Sequence, residues 1–141
     1  MVILGGGDEH RTVEDKITSL GLSGKVFLPG IRSDVARFYS VFDVFFMPSL
    51  YEGLPISAVE AQASGLRCVF STGVPSESDI TGSGRFVGLD RPSAEWESAL
   101  VDALAQGRDY RAAKKLALAG YSAETNAEKL MEFYEGLLCG L

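Results

Sequence analysis

The sequence predicts an α/β fold with a doubly wound parallel sheet and a helical C-terminal tail. Between residues 1 and 90, short and continuously apolar segments alternate with segments of helical periodicity. This alternation is typical of parallel strands that are buried on both faces and joined by helices. After residue 90 the periodicity is helical throughout. With 141 residues, 46% of them hydrophobic, the chain has enough apolar side chains for one domain core.

Five segments are predicted as strands because each is short, apolar and bounded by residues that favour turns. In chain order they are MVIL, KVFLPG, DVFFMPS, LRCVF and the weaker RFVGL. Pro48 ends the third strand because proline lacks the N–H that a sheet ladder needs.

Three helices are predicted between these strands. The first, in EHRTVEDKITSLGL, has Gly21 as its C-cap. The second, in SDVARFYSVF, has Ser33 or Asp34 as its N-cap. The third, in LPISAVEAQASG, has Pro55 near its first position and Gly65 at its end, which is the usual asymmetry of helix ends.

The C-terminal part is predicted to hold three more helices, in SAEWESALVDALAQG, DYRAAKKLALAG and SAETNAEKLMEFYEGLL. Before them, residues 71 to 84 are rich in Ser, Thr, Gly and Asp. This stretch is predicted to be either a loop over the carboxyl ends of the strands or a linker.

The composition excludes several classes of partner. A net charge of −6 argues against nucleic acid, because a phosphate backbone requires clustered Lys and Arg. No apolar window is long enough to span a bilayer, and the apolar N-terminal run is too short for a signal peptide. Cys68 and Cys139 lack metal-ligand spacing, and Cys68 is predicted to be a small core residue. We expect a cytoplasmic protein without a metal site, with membrane association left open for a longer parent chain.

The segment MPSLYEGLPISAVEAQASG is the candidate site. In a doubly wound sheet, ligands bind outside the carboxyl ends of the strands. Gly53, Leu54 and Pro55 open a helix whose free N–H groups and dipole favour an anion such as phosphate. A carboxylate accepts two hydrogen bonds side by side, and a ribose offers two vicinal hydroxyls. We therefore expect a nucleoside diphosphate with its ribose at Glu60 and its remaining group near Glu52. The alternative is that both glutamates are solvated, with Glu52 favoured by the helix dipole.

The same segment resembles a known signature. PSLYEGLPISAVEAQASG places Glu52 and Glu60 as in the Glu-x(7)-Glu pattern of retaining glycosyltransferases of the GT-B fold. It is most similar to the family-four branch, which includes capsular and exopolysaccharide transferases. The residues before it, from VILGGGDEH to DVFFMPS, agree with that family, and NAEKLMEFYEGLL is like its last helix, which packs back across the fold.

The resemblance implies that residues 1–141 form the Rossmann-like donor-binding domain. It also implies that the first βα unit and the N-terminal acceptor domain are missing. Glu52 would be the catalytic residue beside the transferred sugar, and Glu60 would hold the donor ribose. The backbone of Gly53, Leu54 and Pro55 would meet the diphosphate or the sugar.

The resemblance further implies that Gly30, Ile31 and Arg32 border the base, largely through backbone groups. The donor would be a nucleotide-diphosphate sugar, with UDP or GDP as its nucleotide, and no metal or other cofactor would be needed. The acceptor would be a saccharide or a lipid-linked saccharide, held by the missing domain. The sequence predicts no oligomeric state.

The chain departs from the family in three places. It lacks the G-R…K-G segment whose Arg and Lys stabilise the leaving diphosphate, so we expect weak nucleotide binding and no turnover by this chain alone. Position 67 is Arg where relatives have Pro, which is expected to unsettle the entry to the fourth strand. GGGDEH replaces a G-x-G-P turn, and its His10 is predicted to be a surface residue, with substrate contact as the less favoured alternative.

Two other classes remain as alternatives. Nucleotide-sugar epimerases share the fold, but their pattern is not found around EGLPISAVE. A non-catalytic Rossmann-like nucleotide-binding or interaction module would leave both glutamates solvated. GGGDEH lacks the third glycine of a G-x-G-x-x-G dinucleotide site. Substitution of Glu60 separates the transferase from the non-catalytic module, because ligand affinity should fall in the first and stay unchanged in the second.

Overall fold

The computed structural model describes residues 1–139, apart from the side chain of Cys139, so the prediction about that cysteine lies outside the described residues. The chain divides into two compact units. The first is Met1–Arg37, and the second begins at Phe38.

The first unit is a βαβ arrangement made of β1 (Val2–Leu4), α1 (His10–Ser19) and β2 (Phe27–Gly30). The two strands are parallel, with Val2 opposite Phe27 and Leu4 opposite Gly30. The helix α1 is closed by a Schellman motif, in which Gly21 has a φ of 65° and donates its N–H to the carbonyl of Thr18. Gly21 therefore ends the helix as predicted, at the position that follows the C-cap residue Leu20.

The second unit contains a three-stranded parallel sheet of order β3-β4-β5. Its elements, with the helix α2 that crosses the boundary between the units, are α2 (Val35–Val41), β3 (Val44–Met47), α3 (Ile56–Ala63), β4 (Arg67–Ser71), β5 (Arg85–Val87), α4 (Ser93–Gln106), α5 (Ala112–Leu118) and α6 (Ala123–Cys139). The strands therefore form two separate parallel ladders instead of the single sheet that the alternation suggested.

Helices cover both faces of the sheet in the second unit. On one face, the small residues Ala99 and Ala103 let α4 approach Val69 and Val87 closely. Successive strand residues point to opposite faces, so Phe45 lies on the other face, where the ring of Tyr39 meets it edge-on. The predicted doubly wound α/β class is confirmed.

The stretch from 71 to 84 is an ordered loop between β4 and β5, and the linker alternative is wrong. It contains a short 3-10 helix, Ser76–Ser78, and the side chains of Val74, Ser78 and Thr81 are buried. A linker would leave such side chains in water, whereas Ser78 and Thr81 are hydrogen-bonded to Gln62 of α3.

Arg67 does not disturb the start of β4, contrary to expectation. It pairs in register with Val44, and its Nε donates a hydrogen bond of 3.0 Å to the carbonyl of Gly107. That carbonyl lies at the end of α4, where a cation is favourable because the last carbonyls of a helix lack partners. Arg67 thus donates a side-chain hydrogen bond to the end of α4, which a proline at this position could not do.

The last helix leaves its apolar side chains exposed. Six of them are each more than half exposed: Leu130, Met131, Phe133, Tyr134, Leu137 and Leu138. The expected packing of this helix back across the fold is therefore not seen among the described residues. Within the same part of the chain, no helix is both long and apolar enough to cross a membrane.

Candidate functional site

Glu52 lies in the loop between β3 and α3 and is held at two points. Its backbone N–H donates to the carbonyl of Gly73 at 3.1 Å, and its Oε1 accepts from the Ser49 hydroxyl at 2.8 Å. The side chain is half-buried. One carboxylate oxygen is therefore oriented by the protein, whereas Oε2 accepts no hydrogen bond from residues 1–139.

The loop after β4 supports the Glu52 loop from behind. The hydroxyl of Ser71 donates to the carbonyl of Ser49. A Cβ at Gly73 would overlap the carbonyl oxygen of Leu50, so only glycine permits this approach. Neither Ser71 nor Gly73 was predicted as a site residue from the sequence. The available signal was the small-residue sequence STG directly after a buried strand.

The start of α3 presents a group of open N–H donors. Pro55 is the buried N-cap residue, and its carbonyl accepts the N–H of Ala58 at 3.0 Å. Within residues 1–139 no hydrogen bond is donated by four backbone amides, those of Gly53, Leu54, Ile56 and Ser57. Unpaired amides at the positive end of a helix dipole form a site for an anion.

Gly53 is not required by the protein itself. A Cβ at this position would meet no atom within 4 Å, and its backbone is not left-handed. A glycine that the fold does not need is consistent with close approach of a ligand to the backbone. The predicted set of Gly53, Leu54 and Pro55 therefore borders an open surface, while Pro55 itself is buried.

Glu60 lies in the second turn of α3 and is exposed. Its Oε2 accepts a hydrogen bond of 3.2 Å from the hydroxyl of Tyr39, which is buried. Burial, with the added effect of the Glu60 charge, raises the pKa of Tyr39 to about 12. Tyr39 is thus a neutral hydrogen-bond donor at physiological pH, and Glu60 Oε1 accepts no hydrogen bond among the described residues.

Gln62 anchors α3 from its buried side. Its Nε2 donates to the carbonyls of Ala58 at 3.0 Å and Ser78 at 2.6 Å. Its Oε1 accepts from the backbone N–H of Thr81 at 3.1 Å and from the Thr81 hydroxyl at 3.2 Å. The side chain is fully buried, and all of its amide groups have partners. Gln62 was not predicted from the sequence, although it is a second polar residue in an otherwise apolar helix.

Arg108 ties the ends of two helices together. Its guanidinium donates to the carbonyl of Ser64 at 2.6 Å, at the end of α3. It also donates to the carbonyls of Tyr39 at 2.7 Å and Phe42 at 2.6 Å, at the end of α2. Because the carbonyls at a helix end lack partners within the helix, one guanidinium satisfies three of them. No residues close to Arg108 in the sequence indicate that it binds these three carbonyls.

Gly30, Ile31 and Arg32 belong to the first unit. Gly30 ends β2 with a φ of 75°, and its carbonyl accepts the N–H of Gly5 at 3.1 Å. Ile31 is 83% exposed. The guanidinium of Arg32 binds both carboxylate oxygens of Asp34, at 2.8 and 3.0 Å, which lowers the pKa of that carboxyl. The Arg32 side chain is therefore engaged by Asp34, and contact of this segment with a base stays a prediction.

His10 and Cys68, the two remaining residues considered in the sequence, lie away from the start of α3 in the chain. His10 Nε2 lies 3.6 Å from Glu14 Oε1, one turn further along α1, and at 36% side-chain exposure it lies at the surface, as expected. Cys68 is buried in β4, and burial raises the pKa of its thiol to about 12, so the thiol stays protonated. The prediction of a core cysteine is confirmed. Among residues 1–139 no group of three side chains has the composition and proximity to hold a metal ion.

The chain belongs to the family described as "Glycosyl transferases group 1", whose sequence model matches residues 1–115. The Bacillus subtilis protein EpsF, which is named as a glycosyltransferase, is 36% identical over 137 residues. That match covers 95% of this chain and 36% of EpsF. An Escherichia coli UDP-Gal:α-D-GlcNAc-diphosphoundecaprenol α-1,3-galactosyltransferase is 37% identical over 71 residues, which are 50% of this chain and 18% of that protein. The chain thus spans about a third or less of the length of these relatives.

Solved structures agree on the fold. Sucrose-phosphate synthase from Thermosynechococcus elongatus superimposes with a TM-score of 0.77 at 22% identity, over 99% of this chain and 39% of that one. Anabaena HepE, solved in complex with UDP, superimposes with a TM-score of 0.70 at 18% identity, over 96% of this chain and 40% of that one. At such identities the likeness concerns the fold, and it confirms the predicted GT-B glycosyltransferase fold.

Proposed function

We propose that this chain is the donor-binding part of a retaining glycosyltransferase. The enzyme would move a sugar from a nucleotide-diphosphate sugar to a saccharide or lipid-linked acceptor in polysaccharide or glycoconjugate synthesis. The observation that carries the proposal is the group of unpaired amides at the start of α3, flanked by Glu52 and Glu60. An anion-binding helix end beside two carboxylates matches a ligand that joins a diphosphate to two hydroxyl-rich groups.

The diphosphate would bind the amides of Gly53, Leu54, Ile56 and Ser57. These donors and the positive end of the α3 dipole would stabilise the charge that develops on the leaving diphosphate. No metal enters the proposal. The expected weakness of binding follows from the net charge of −6 and from the nature of the donors, because backbone amides supply only partial charges.

The two glutamates would recognise the two sugar rings of the donor. A carboxylate has about four lone-pair positions, and Tyr39 occupies one of those on Glu60. The remaining positions suffice for the two vicinal hydroxyls of a ribose. Glu52, with Oε1 fixed by Ser49, would direct Oε2 at the hydroxyls of the transferred sugar.

The relatives support a UDP-linked donor. The Escherichia coli relative is named for a UDP-galactose donor and a diphosphoundecaprenol-linked acceptor. The Anabaena structure holds UDP. For the present chain, the preferred donor is therefore a UDP-sugar and the preferred acceptor a lipid-linked saccharide.

The test is an NMR titration of the chain with UDP, GDP, ADP and NAD. One nucleoside diphosphate should shift the amides from Gly53 to Glu60, and Glu60→Ala should abolish the response. Glu128→Ala is the matched control, because it removes one exposed carboxylate from a helix outside the site. Gly53→Ala should leave the unfolding midpoint unchanged and weaken nucleotide binding, since its Cβ meets no protein atom.

Two results would contradict the proposal. If Glu60→Ala leaves every nucleotide response unchanged, the chain is a binding module in which Glu60 does not contact the ligand. If neither this chain nor a version that restores the preceding βα unit responds to any of the four nucleotides, the glycosyltransferase interpretation is wrong.

A further inference from the structure

Tyr39 differs from every other tyrosine in the chain. It is 4% exposed, whereas the remaining four of the five tyrosines are between 42% and 92% exposed. A buried phenol hydroxyl requires a hydrogen-bond partner, because an unpaired polar group in the interior is destabilising. The partner of Tyr39 is Glu60, whose carboxylate lies 21 positions further along the chain.

Tyr39 is held through both its ring and its backbone. Its ring contacts Phe45 edge-on, with centroids 6.2 Å apart and an interplanar angle of 66°. Its backbone carbonyl accepts a hydrogen bond from Arg108 at 2.7 Å. Glu60, in contrast, is an exposed side chain with several rotatable bonds. The hydroxyl of Tyr39 is therefore a fixed point to which a flexible carboxylate is attached.

We propose that Tyr39 is a positioning residue, which holds the Glu60 carboxylate in the orientation that receives the two vicinal hydroxyls of a ribose. This role rests on the proposed function of the site. Without Tyr39, the carboxylate would sample several rotamers, and ribose binding would have to order it. With Tyr39, that ordering precedes binding, and Oε1 together with the free lone pair of Oε2 faces the ligand.

The protonation state of Tyr39 suits this task. Burial, the charge of Glu60, the hydrogen bond to Glu60 and, more weakly, Cys68 together raise its pKa to about 12. The phenol therefore remains protonated and donates, while the carboxylate can only accept.

The test compares UDP with 2′-deoxy-UDP in the wild-type chain and in Tyr39→Phe, which removes only the hydroxyl. The affinity for UDP should fall roughly threefold to tenfold, the effect expected from one newly mobile side chain. The affinity for 2′-deoxy-UDP should fall less, because a single hydroxyl bond tolerates several carboxylate orientations. The preference for ribose should therefore shrink, which a general loss of stability would not cause. Tyr110→Phe, at a tyrosine that is 92% exposed, is the matched control and should change neither affinity.

A second measurement tests the contact itself. Carbon-labelled tyrosine NMR distinguishes Tyr39 from the other four tyrosines during an alkaline titration. In Glu60→Gln the ionisation of Tyr39 should begin at a lower pH, because the negative charge that helps to raise its pKa is removed. An unchanged titration would show that the two side chains do not meet in solution, and would overturn the role of Tyr39 whatever the nucleotide result.

The outcomes separate this inference from the proposed function. If neither the wild-type chain nor the version with the preceding βα unit restored binds UDP or any other nucleoside diphosphate, the proposed function is overturned, and the role of Tyr39 with it. A wild-type chain that binds UDP, while Tyr39→Phe keeps both the affinity and the ribose preference, overturns the role of Tyr39 alone.

Discussion

Replacing Arg108 with methionine should destabilise the second unit by about 2–4 kcal/mol. Hydrogen bonds to a charged group are worth ~1.5–3 kcal/mol each, and Arg108 makes three, to the carbonyls of Ser64, Tyr39 and Phe42. The three share one guanidinium and are not additive, and methionine keeps the apolar stem of the side chain. The larger part of the loss comes from carbonyls at two helix ends that are left without a donor.

Urea unfolding followed by tryptophan fluorescence measures this loss. Trp96, the single tryptophan, packs edge-on against Phe46 at 5.5 Å in the second unit, so its emission reports on the unit that Arg108 stabilises. With a denaturant slope of about 2 kcal/mol/M, the midpoint should fall by on the order of 1–2 M. Arg108→Lys should be intermediate, because an ammonium cannot match the planar fork of a guanidinium.

Arg111→Met is the control for Arg108→Met. It removes the same charge from an exposed side chain nearby, and its effect should stay within about 0.5 kcal/mol. If the two variants unfold at the same urea concentration, the three hydrogen bonds of Arg108 contribute no net stability. The claim that unpaired carbonyls at these helix ends destabilise the second unit is then wrong.

Three further predictions concern the supports of the site and the tail. Gln62→Met should lower the free energy of unfolding by about 2–3 kcal/mol, because the buried groups of Thr81 lose their acceptor; a urea midpoint equal to wild type would contradict this. Gly73→Ala should destabilise by about 1–3 kcal/mol through overlap with backbone, and should shift the amide signals of the loop before α3; unshifted signals would show that the loop is not held there. The hydrogen bond from Lys115 lowers the pKa of Asp109 below its ordinary 3.8, so the stability it provides is present at neutral pH and is lost as pH falls below about 4. The urea midpoint should therefore decline less at acidic pH in Asp109→Asn than in wild type, and parallel profiles would argue against the ion pair.

Most of the secondary structure could be predicted from the sequence, because its determinants are local. The five strands and six helices were recognised by type from apolar runs and helical periodicity. Gly21 and Gly65 were recognised at helix ends because a left-handed residue is needed there, and both adopt one, with φ of 65° and 81°. Pro55 was recognised at the start of α3 because its ring suits that position.

The core of the candidate site was also accessible from the sequence, because it lies on one contiguous segment. Glu52 and Glu60 belong to a single loop and the helix that follows it, and the open amides between them follow from the general chemistry of a helix start. Their roles toward a sugar donor stay predictions until a ligand is measured.

The supports of the site could not be predicted in the same way. Arg108 reaches Tyr39 across 69 positions and Ser64 across 44. Gly73 approaches the Glu52 loop only because β3 and β4 are neighbours in the sheet. Nothing within a few residues of Arg108 or Gly73 reveals which carbonyls they will meet.

What the sequence by itself determined about this protein is its class of elements, the ends of its helices and the segment that carries two carboxylates beside an anion site. Periodicity, capping and turn chemistry act over a few residues, so a local pattern is sufficient for them. What only the tertiary structure decided is which distant group satisfies each buried polar atom. A hydrogen bond requires two atoms about 3 Å apart, and that distance between the Tyr39 hydroxyl and Glu60 exists only after α2 and α3 pack on the same face of the sheet.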